Sequence, residues 1–401
     1  MNQHSTQASL PLAGLLVLDF SQFLAGPSAA LRLADLGAEV IKIERPDGGD
    51  LCRSLVVADQ RVDQDSALFH TINRGKKSFA ADLKQPDDLA RVKALVTQAD
   101  VMIHNFRPGV MDRIGLDAQT VMALNPRIVY AAVTGYGEHG PWRDKPGQDL
   151  LVQSLSGLAW LTGNAGEHGG GAPVPTGVSV IDVITGAHLV QGILAALLRR
   201  GVSGQGGQVD VSLLESAMDL QFEPFTAFLN SDRTQPARSV ENHANVHTAA
   251  PYGIYQTRDG FIAIAMTPMD RLAELIASPA LAAQAGDAGT WFSNRDALKQ
   301  TLQAHLVQQD SAHWLAALEP AGVWCADVLT WPQLTEHPAF TALDMTQTIH
   351  SPDGQAMQTT RCPIRLDSQR LTNSRGAPRL GADTETIAQT FGLPQLRTTT
   401  S

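Results

Sequence analysis

Short apolar runs alternate with amphipathic stretches over the first part of the chain. Residues 15–19 (LLVLD) and 39–44 (EVIKIE) read as short strands flanking SAALRLADLG, whose apolar positions recur at helical spacing until Gly37 stops them. The strand pattern returns at 100–104 (DVMIH) and in IVYAAVTGYG, which ends near Gly137. Helices are expected at about 86–98 and again before the loop at Asn125-Pro126. This alternation predicts an α/β domain with a parallel, doubly wound sheet. Its strand-end loops are where such sheets place ligands. The first turn, SQFLAGP, lacks the GxGxxG of a dinucleotide fold.

The most apolar stretch is residues 176–201, TGVSVIDVITGAHLVQGILAALLRRG. Val178-Ser179-Val180-Ile181 reads as an extended run, with Asp182 starting about five turns of helix. Polar His188, Gln191 and Arg199 form one narrow stripe, so the helix is expected to be mostly buried. Arg199-Arg200 and then Gly201 mark its end. Asp182 fits the N-cap, where a carboxylate accepts the orphan N–H groups of the first turn. A second reading is a carboxylate kept ionised and aimed by the helix end, available as a nucleophile.

Further along, GQVDVS and LLESAMDLQF read as a strand and a long helix. Composition turns polar over 230–245, which predicts a change of domain, and PYGIYQTRDGFIAIAM then reads as a hairpin around Asp259-Gly260. Gly and Pro crowd residues 163–177. Gly169-Gly170-Gly171 could cradle a phosphate, but no strand precedes it and no GK[ST] follows, so it reads as a surface loop.

At 401 residues, with 43% hydrophobic and 17% charged, the chain has room for two domains. Its formal charge of −10 is spread along the sequence. That argues against a nucleic-acid partner and allows small anionic ligands at a local basic patch. Cys52, Cys325 and Cys362 lie far apart with no CxxC, which suggests neither a disulfide framework nor a zinc site. MNQHSTQAS lacks signal-peptide features, and no apolar run is read as approaching membrane-spanning length. The expectation is a cytoplasmic protein with no membrane partner.

Several motifs follow one another in order: LDFSQFLAGP (18–27), LADLGAEVIKIERPDGGD (33–50), NRGKKSFAADL (73–83), HNFRPGVMDRIGL (104–116) and LNPRIVYAAVTGYG (124–137). The Asp182 stretch, GQGGQVDVSLLESA (204–217), APYGIYQTRDG (250–260) and APRLGADT (377–384) continue the series. Together they resemble the class III CoA-transferases, a family that includes formyl-CoA and carnitine CoA-transferases and the α-methylacyl-CoA racemases. The resemblance covers nearly the whole chain. It departs at Asp383, where the family usually has histidine.

What the resemblance implies is an interlocked homodimer. Each chain would have a large Rossmann-like domain, its parallel sheet built from both termini, and a smaller α+β domain. Residues 1–205 would be the N-terminal part of the large domain and 206–230 a linker helix. Residues 231–325 would form the small domain, and 326–401 a linker and the C-terminal part of the large domain. The implied activity is that of an acyl-CoA:carboxylate CoA-transferase working through aspartyl mixed-anhydride and aspartyl-CoA thioester intermediates. Asp182 would be the nucleophile, and Asp149 a supporting carboxylate. Coenzyme A, entering as the acyl-CoA substrate, would have its thioester end near Leu24 and Ala25. Arg45 would meet its adenine and phosphate end. Ala81, Asp82, Leu83, Lys84, Asn105, Phe106 and Arg107 would line the nucleotide, and Arg113 would take a phosphate. A carboxylic acid acceptor is the other partner; its identity is not legible.

Two alternatives stay open. The racemase branch needs a base for each face of the α-carbon and places histidine before the acid of a G-H-D motif. This chain has Gly147-Gln148-Asp149, and glutamine cannot exchange protons near neutral pH. A non-catalytic CoA- or nucleotide-binding protein of the same fold would not need Asp182. His188 reads as a hydrogen-bonded packing residue, and His243 and His247 as loop residues that in the family can approach the active site. No pair has metal-ligand spacing, so no metal is expected.

Overall fold

In the computed structural model, residues 10–166 and 171–395 are described. MNQHSTQAS and Gly169-Gly170 lie outside the described residues. The chain forms two compact units. The first comprises Met1–Val152, Ser179–Ala217 and Leu343–Ser401, and the second Gln153–Val178 and Met218–Ala342. Residues 153–178, inside the expected 1–205 segment, therefore group with the second unit.

The elements up to residue 212 are β1 (Leu16–Asp19), α1 (Ala25–Asp35), β2 (Glu39–Glu44), β3 (Arg61–Val62), β4 (Asp65–Ser66), α2 (Ala67–Asn73), β5 (Lys77–Ala80) and α3 (Pro86–Val96). Then come β6 (Val101–His104), α4 (Val110–Ile114), α5 (Ala118–Leu124), β7 (Val129–Thr134), α6 (Asp149–Leu155), α7 (Leu158–Leu161), α8 (Val180–Ser203) and β8 (Gly207–Ser212). Six strands form one sheet in the order β5-β2-β1-β6-β7-β8, and every pairing is parallel. Among its own members that order runs third, second, first, fourth, fifth, sixth, the doubly wound arrangement whose direction reverses beside β1. Central β1 and β6 are buried along their whole length, which is why they read as unbroken apolar runs.

All six strands come from residues 16–212, so the expectation of a sheet built from both termini is corrected. The C-terminal segment joins the unit in another way, by covering an edge. Asp383 Oδ2 accepts the Ser78 N–H at 2.9 Å, and Thr384 Oγ1 accepts that of Ala80 at 2.9 Å. Those N–H groups point to the free side of edge strand β5, which would otherwise invite pairing with another strand.

Four readings of α8 change. The helix begins at Val180, so the expected extended run through Ile181 is absent and Asp182 is its third residue rather than its N-cap. It runs through Gly201 to Ser203; Gly204, at φ 72°, stops it, its N–H reaching the Arg200 carbonyl at 2.8 Å. It is also long and apolar enough to cross a membrane, contrary to the expectation for any run in this chain. Here Ile181, Leu189, Ile193 and Ala196 pack inward, while Val183, Leu198 and Val202 are 59%, 77% and 91% exposed. The helix is therefore not mostly buried as expected; its buried part is a stripe, because an apolar composition on all faces hides which face packs.

The second unit has an antiparallel sheet of β9 (Gly253–Gln256), β10 (Phe261–Ile264) and β11 (Cys325–Asp327). β9 and β10 make the hairpin expected around Asp259-Gly260. Their inward residues Tyr255 and Ile262 share a core with Leu272, Leu298, Leu302 and Trp314 from the helices that follow.

Candidate active site

Asp149 opens α6 and is 5% exposed. Its Oδ2 accepts the N–H of Ile181 at 2.8 Å and of Asp182 at 3.0 Å. Ser179, in the N-cap position of α8, makes no side-chain cap bond. Two of the orphan donors of this helix start are thus met by a carboxylate from another helix. Two glycines bring it there. Gly135, just after β7, and Gly147 cross so closely that a Cβ on Gly135 would stand 2.6 Å from the Gly147 Cα.

This arrangement frees the Asp182 carboxyl from capping. It is half-buried, and burial first, then the charge of Asp149, raise its pKa to about 7. A helix start favours the anion, but burial outweighs it here. The expected carboxylate kept ionised by the helix end is corrected to one balanced between its two forms near neutral pH. Its anion is poorly solvated and correspondingly reactive, the property a carboxylate nucleophile needs. Four residues on, and therefore on the same helix face, Gly186 lets α1 approach; a Cβ there would lie 2.9 Å from the Ala25 carbonyl oxygen.

A cleft of about 590 Å³ opens at the C-terminal ends of β1, β2, β5 and β6, at the reversal point of the sheet. Of the residues expected along CoA, Arg45, Ala81, Asp82, Leu83, Lys84, Phe106 and Arg113 line it. Arg45, Lys84 and Arg113 are exposed, and among the described residues none of them is in an ion pair. Ile43, Leu89 and Ile114 supply apolar wall. The remaining expected residues are not in its lining. Asn105 is engaged with Gln22, accepting its N–H at 2.8 Å and donating to its carbonyl at 2.7 Å. Arg107 is exposed outside the lining. Leu24 packs against the cluster of Cys52, Phe69, Ile72 and Ala377, and Ala25 is buried.

At the floor of the cleft lies a charge network that the sequence reading missed. Lys76 is fully buried and donates to Asp19 at 2.8 Å, Asn73 at 2.8 Å and the Pro27 carbonyl at 3.0 Å. Burial lowers its pKa to about 8 in spite of Asp19. Lys42 pairs with Asp50 at 2.9 Å, and Arg53 grips Glu44 through two bonds of 2.8 Å. The available signal was Lys42 itself, a lysine inside the otherwise apolar EVIKIE strand, which requires a buried partner.

His188 bonds Ser216 at 3.0 Å, as a packing histidine does. His243 has both ring nitrogens bonded within the second unit, to the Ser239 N–H and the Leu161 carbonyl. His247 is exposed. Among the described residues no group of His, Cys, Asp or Glu is arranged to hold a metal.

Fold and site together define an α/β enzyme with a ligand cleft at the reversal point of a parallel sheet. The model of CoA-transferase family III matches residues 12–384, and the chain belongs to that family: it is a class III CoA-transferase. It is 32% identical over 400 residues to the succinate–glutarate CoA-transferase of Agrobacterium fabrum, covering 95% of this chain and 97% of that one. It is 32% identical over 396 residues to the acetyl-CoA:oxalate CoA-transferase of Acetobacter aceti, covering 96% and 97%. Among solved structures, a CAIB/BAIF family protein from Brucella suis is similar with a TM-score of 0.79 at 30% identity, covering 96% of this chain and 100% of that one.

Proposed function

We propose that this chain moves CoA between a CoA thioester and a small dicarboxylic acid, with Asp182 as the covalent nucleophile. The observation that carries the reading is the Asp182 carboxyl, released from capping by Asp149 and raised to about 7 in the first turn of α8. Its anion attacks the thioester carbonyl, the C–S bond breaks, and a mixed anhydride forms as CoA thiolate leaves. The thiolate then attacks the aspartyl carbonyl, giving an aspartyl-CoA thioester and the first acid as its carboxylate. The acceptor carboxylate reverses both steps, attacking the aspartyl thioester and then yielding its own acyl group to the returning thiolate. Both intermediates hydrolyse in water, so the site has to exclude it.

The cleft suits the CoA half of the substrate. Arg45, Lys84 and Arg113 offer cations for its phosphates, and Phe106, Ile43 and Leu89 offer apolar wall. The dicarboxylate class is taken from relatives named for succinate and glutarate, for oxalate and for mesaconate. Gln148 before Asp149 speaks against α-carbon racemisation. The working form is an interlocked homodimer in which the exposed apolar residues Val183, Leu198 and Val202 of α8 meet the partner chain. The test is a mass-spectrometric screen of acyl-CoA donors against short monocarboxylic and dicarboxylic acids. Transfer to one or more dicarboxylates is expected. Exchange of the α-proton with deuterated water, without transfer to any acid, would contradict the reading.

A further inference from the structure

We infer that Lys42 and Asp50 are positioning residues that hold the turn between β1 and α1 in the shape that transfer at Asp182 requires, an inference that rests on the CoA-transfer reading above. Both line the floor of the cleft, 0% and 2% exposed. Lys42 Nζ is 2.9 Å from Asp50 Oδ2 and donates to the Ser21 carbonyl at 2.7 Å. Asp50 Oδ1 accepts the N–H of Cys52, on its own loop, at 2.9 Å and that of Phe23 at 3.3 Å. The pair therefore grips the turn on both sides of Gln22, which Asn105 holds through its own N–H and carbonyl.

The residue gripped is strained. Phe23 has a φ of 64° and is 47% exposed, so neither its own preference nor packing of its ring accounts for this conformation. A bulky side chain stays in the left-handed region only where its surroundings impose it, and such residues gather at functional sites. Leu24, next in the chain, is the N-cap of α1, and the carbonyl of Ala25, beside the Ser28 hydroxyl, is the nearest backbone group to Gly186, one turn along α8 from Asp182. The hold on Phe23 is thereby passed to the place where α1 meets the nucleophile's helix. A buried ion pair is a poor way to add stability and a good way to fix one conformation when its atoms are aimed at backbone groups, as both of these are.

The test uses full-length protein and compares Asp50→Ala with Asp50→Asn, whose amide oxygen can still accept the two N–H groups. Hydrogen exchange is followed on the peptide covering residues 20–31, and transfer kinetics are measured alongside. Asp50→Ala is expected to speed exchange of the amides of residues 20–26 by roughly tenfold or more. It is also expected to lower kcat by roughly tenfold or more while KM for acyl-CoA changes by less than about threefold. Asp50→Asn should recover most of kcat. Phe23→Gly added to Asp50→Ala should recover part of it, because glycine takes a positive φ without help. Unchanged exchange in this peptide would overturn the inference, and so would faster exchange with full kcat. So would a kcat that falls equally in both Asp50 variants. Wild-type protein that transfers no CoA would overturn the transfer reading and this role together, before any variant is compared. An active wild type with a fully active Asp50→Ala would remove this role alone.

Discussion

Asp182 and Asp149 divide a task that sequence alone assigns to one residue. Asp149 supplies the cap, so Asp182 is left with a buried carboxyl whose proton is held up to about pH 7. The folded protein therefore binds more protons than the unfolded chain between the ordinary aspartate value of 3.8 and about 7. Stability linked to this group falls as pH rises through that window and is level on either side of it. Asp182→Asn has no such proton to lose. Its melting temperature relative to wild type is expected to rise from about pH 4 to about pH 7 and then level off, as thermal melts across that range would show. A difference constant with pH would mean that the carboxyl is not shifted. Asp149→Asn keeps an oxygen for the two N–H groups but removes the charge beside Asp182. The acid limb of kcat/KM is expected to move to lower pH with little change in melting temperature, whereas Asp149→Ala should cost about 1 kcal/mol of stability as a lost cap. Asp182 was legible in the sequence because an acid stands out at the start of an apolar helix. Asp149 as its cap was not, since the bond spans 33 positions and depends on the crossing of Gly135 and Gly147.

At the level of elements, strands β1, β2, β6 and β7 were legible because a sheet covered on both faces demands continuous apolar runs. The cleft was legible in part for a related reason: its walls are the loops that follow those strands. The structural roles of Asn105 and Lys76 escaped because their partners, Gln22 and Asp19, lie on other strand-end segments. The C-terminal end of α8 was misread because glycine both punctuates helices and permits close packing, and sequence alone does not say which. Substitution separates the two uses. Gly201 lies inside the helix with nothing within 4 Å of a built Cβ, so Gly201→Ala is expected to stabilise the protein by up to about 1 kcal/mol. Gly186→Ala would press on the backbone carbonyl of Ala25, and is expected to cost about 1–3 kcal/mol and to reduce transfer as α1 and α8 separate. Denaturant melts of both variants check the pair of signs; a destabilising Gly201→Ala would restore Gly201 as the helix stop.

At the level of the whole molecule, tagged and untagged protein made separately and then mixed should yield no mixed dimers under native conditions, if the chains interlock. Rapid exchange of subunits would count against that assembly without touching the chemistry. The chemistry is tested most directly by incubating the protein with a competent acyl-CoA and no acceptor acid, then measuring the mass of the peptide spanning residues 178–186. The account predicts CoA joined covalently to Asp182 in the wild-type protein and no adduct in Asp182→Asn, which keeps the helix and the cleft but has no carboxylate to attack with. Transfer by Asp182→Asn under conditions that exclude deamidation, or a wild-type enzyme that turns over with this peptide always unmodified, would contradict it.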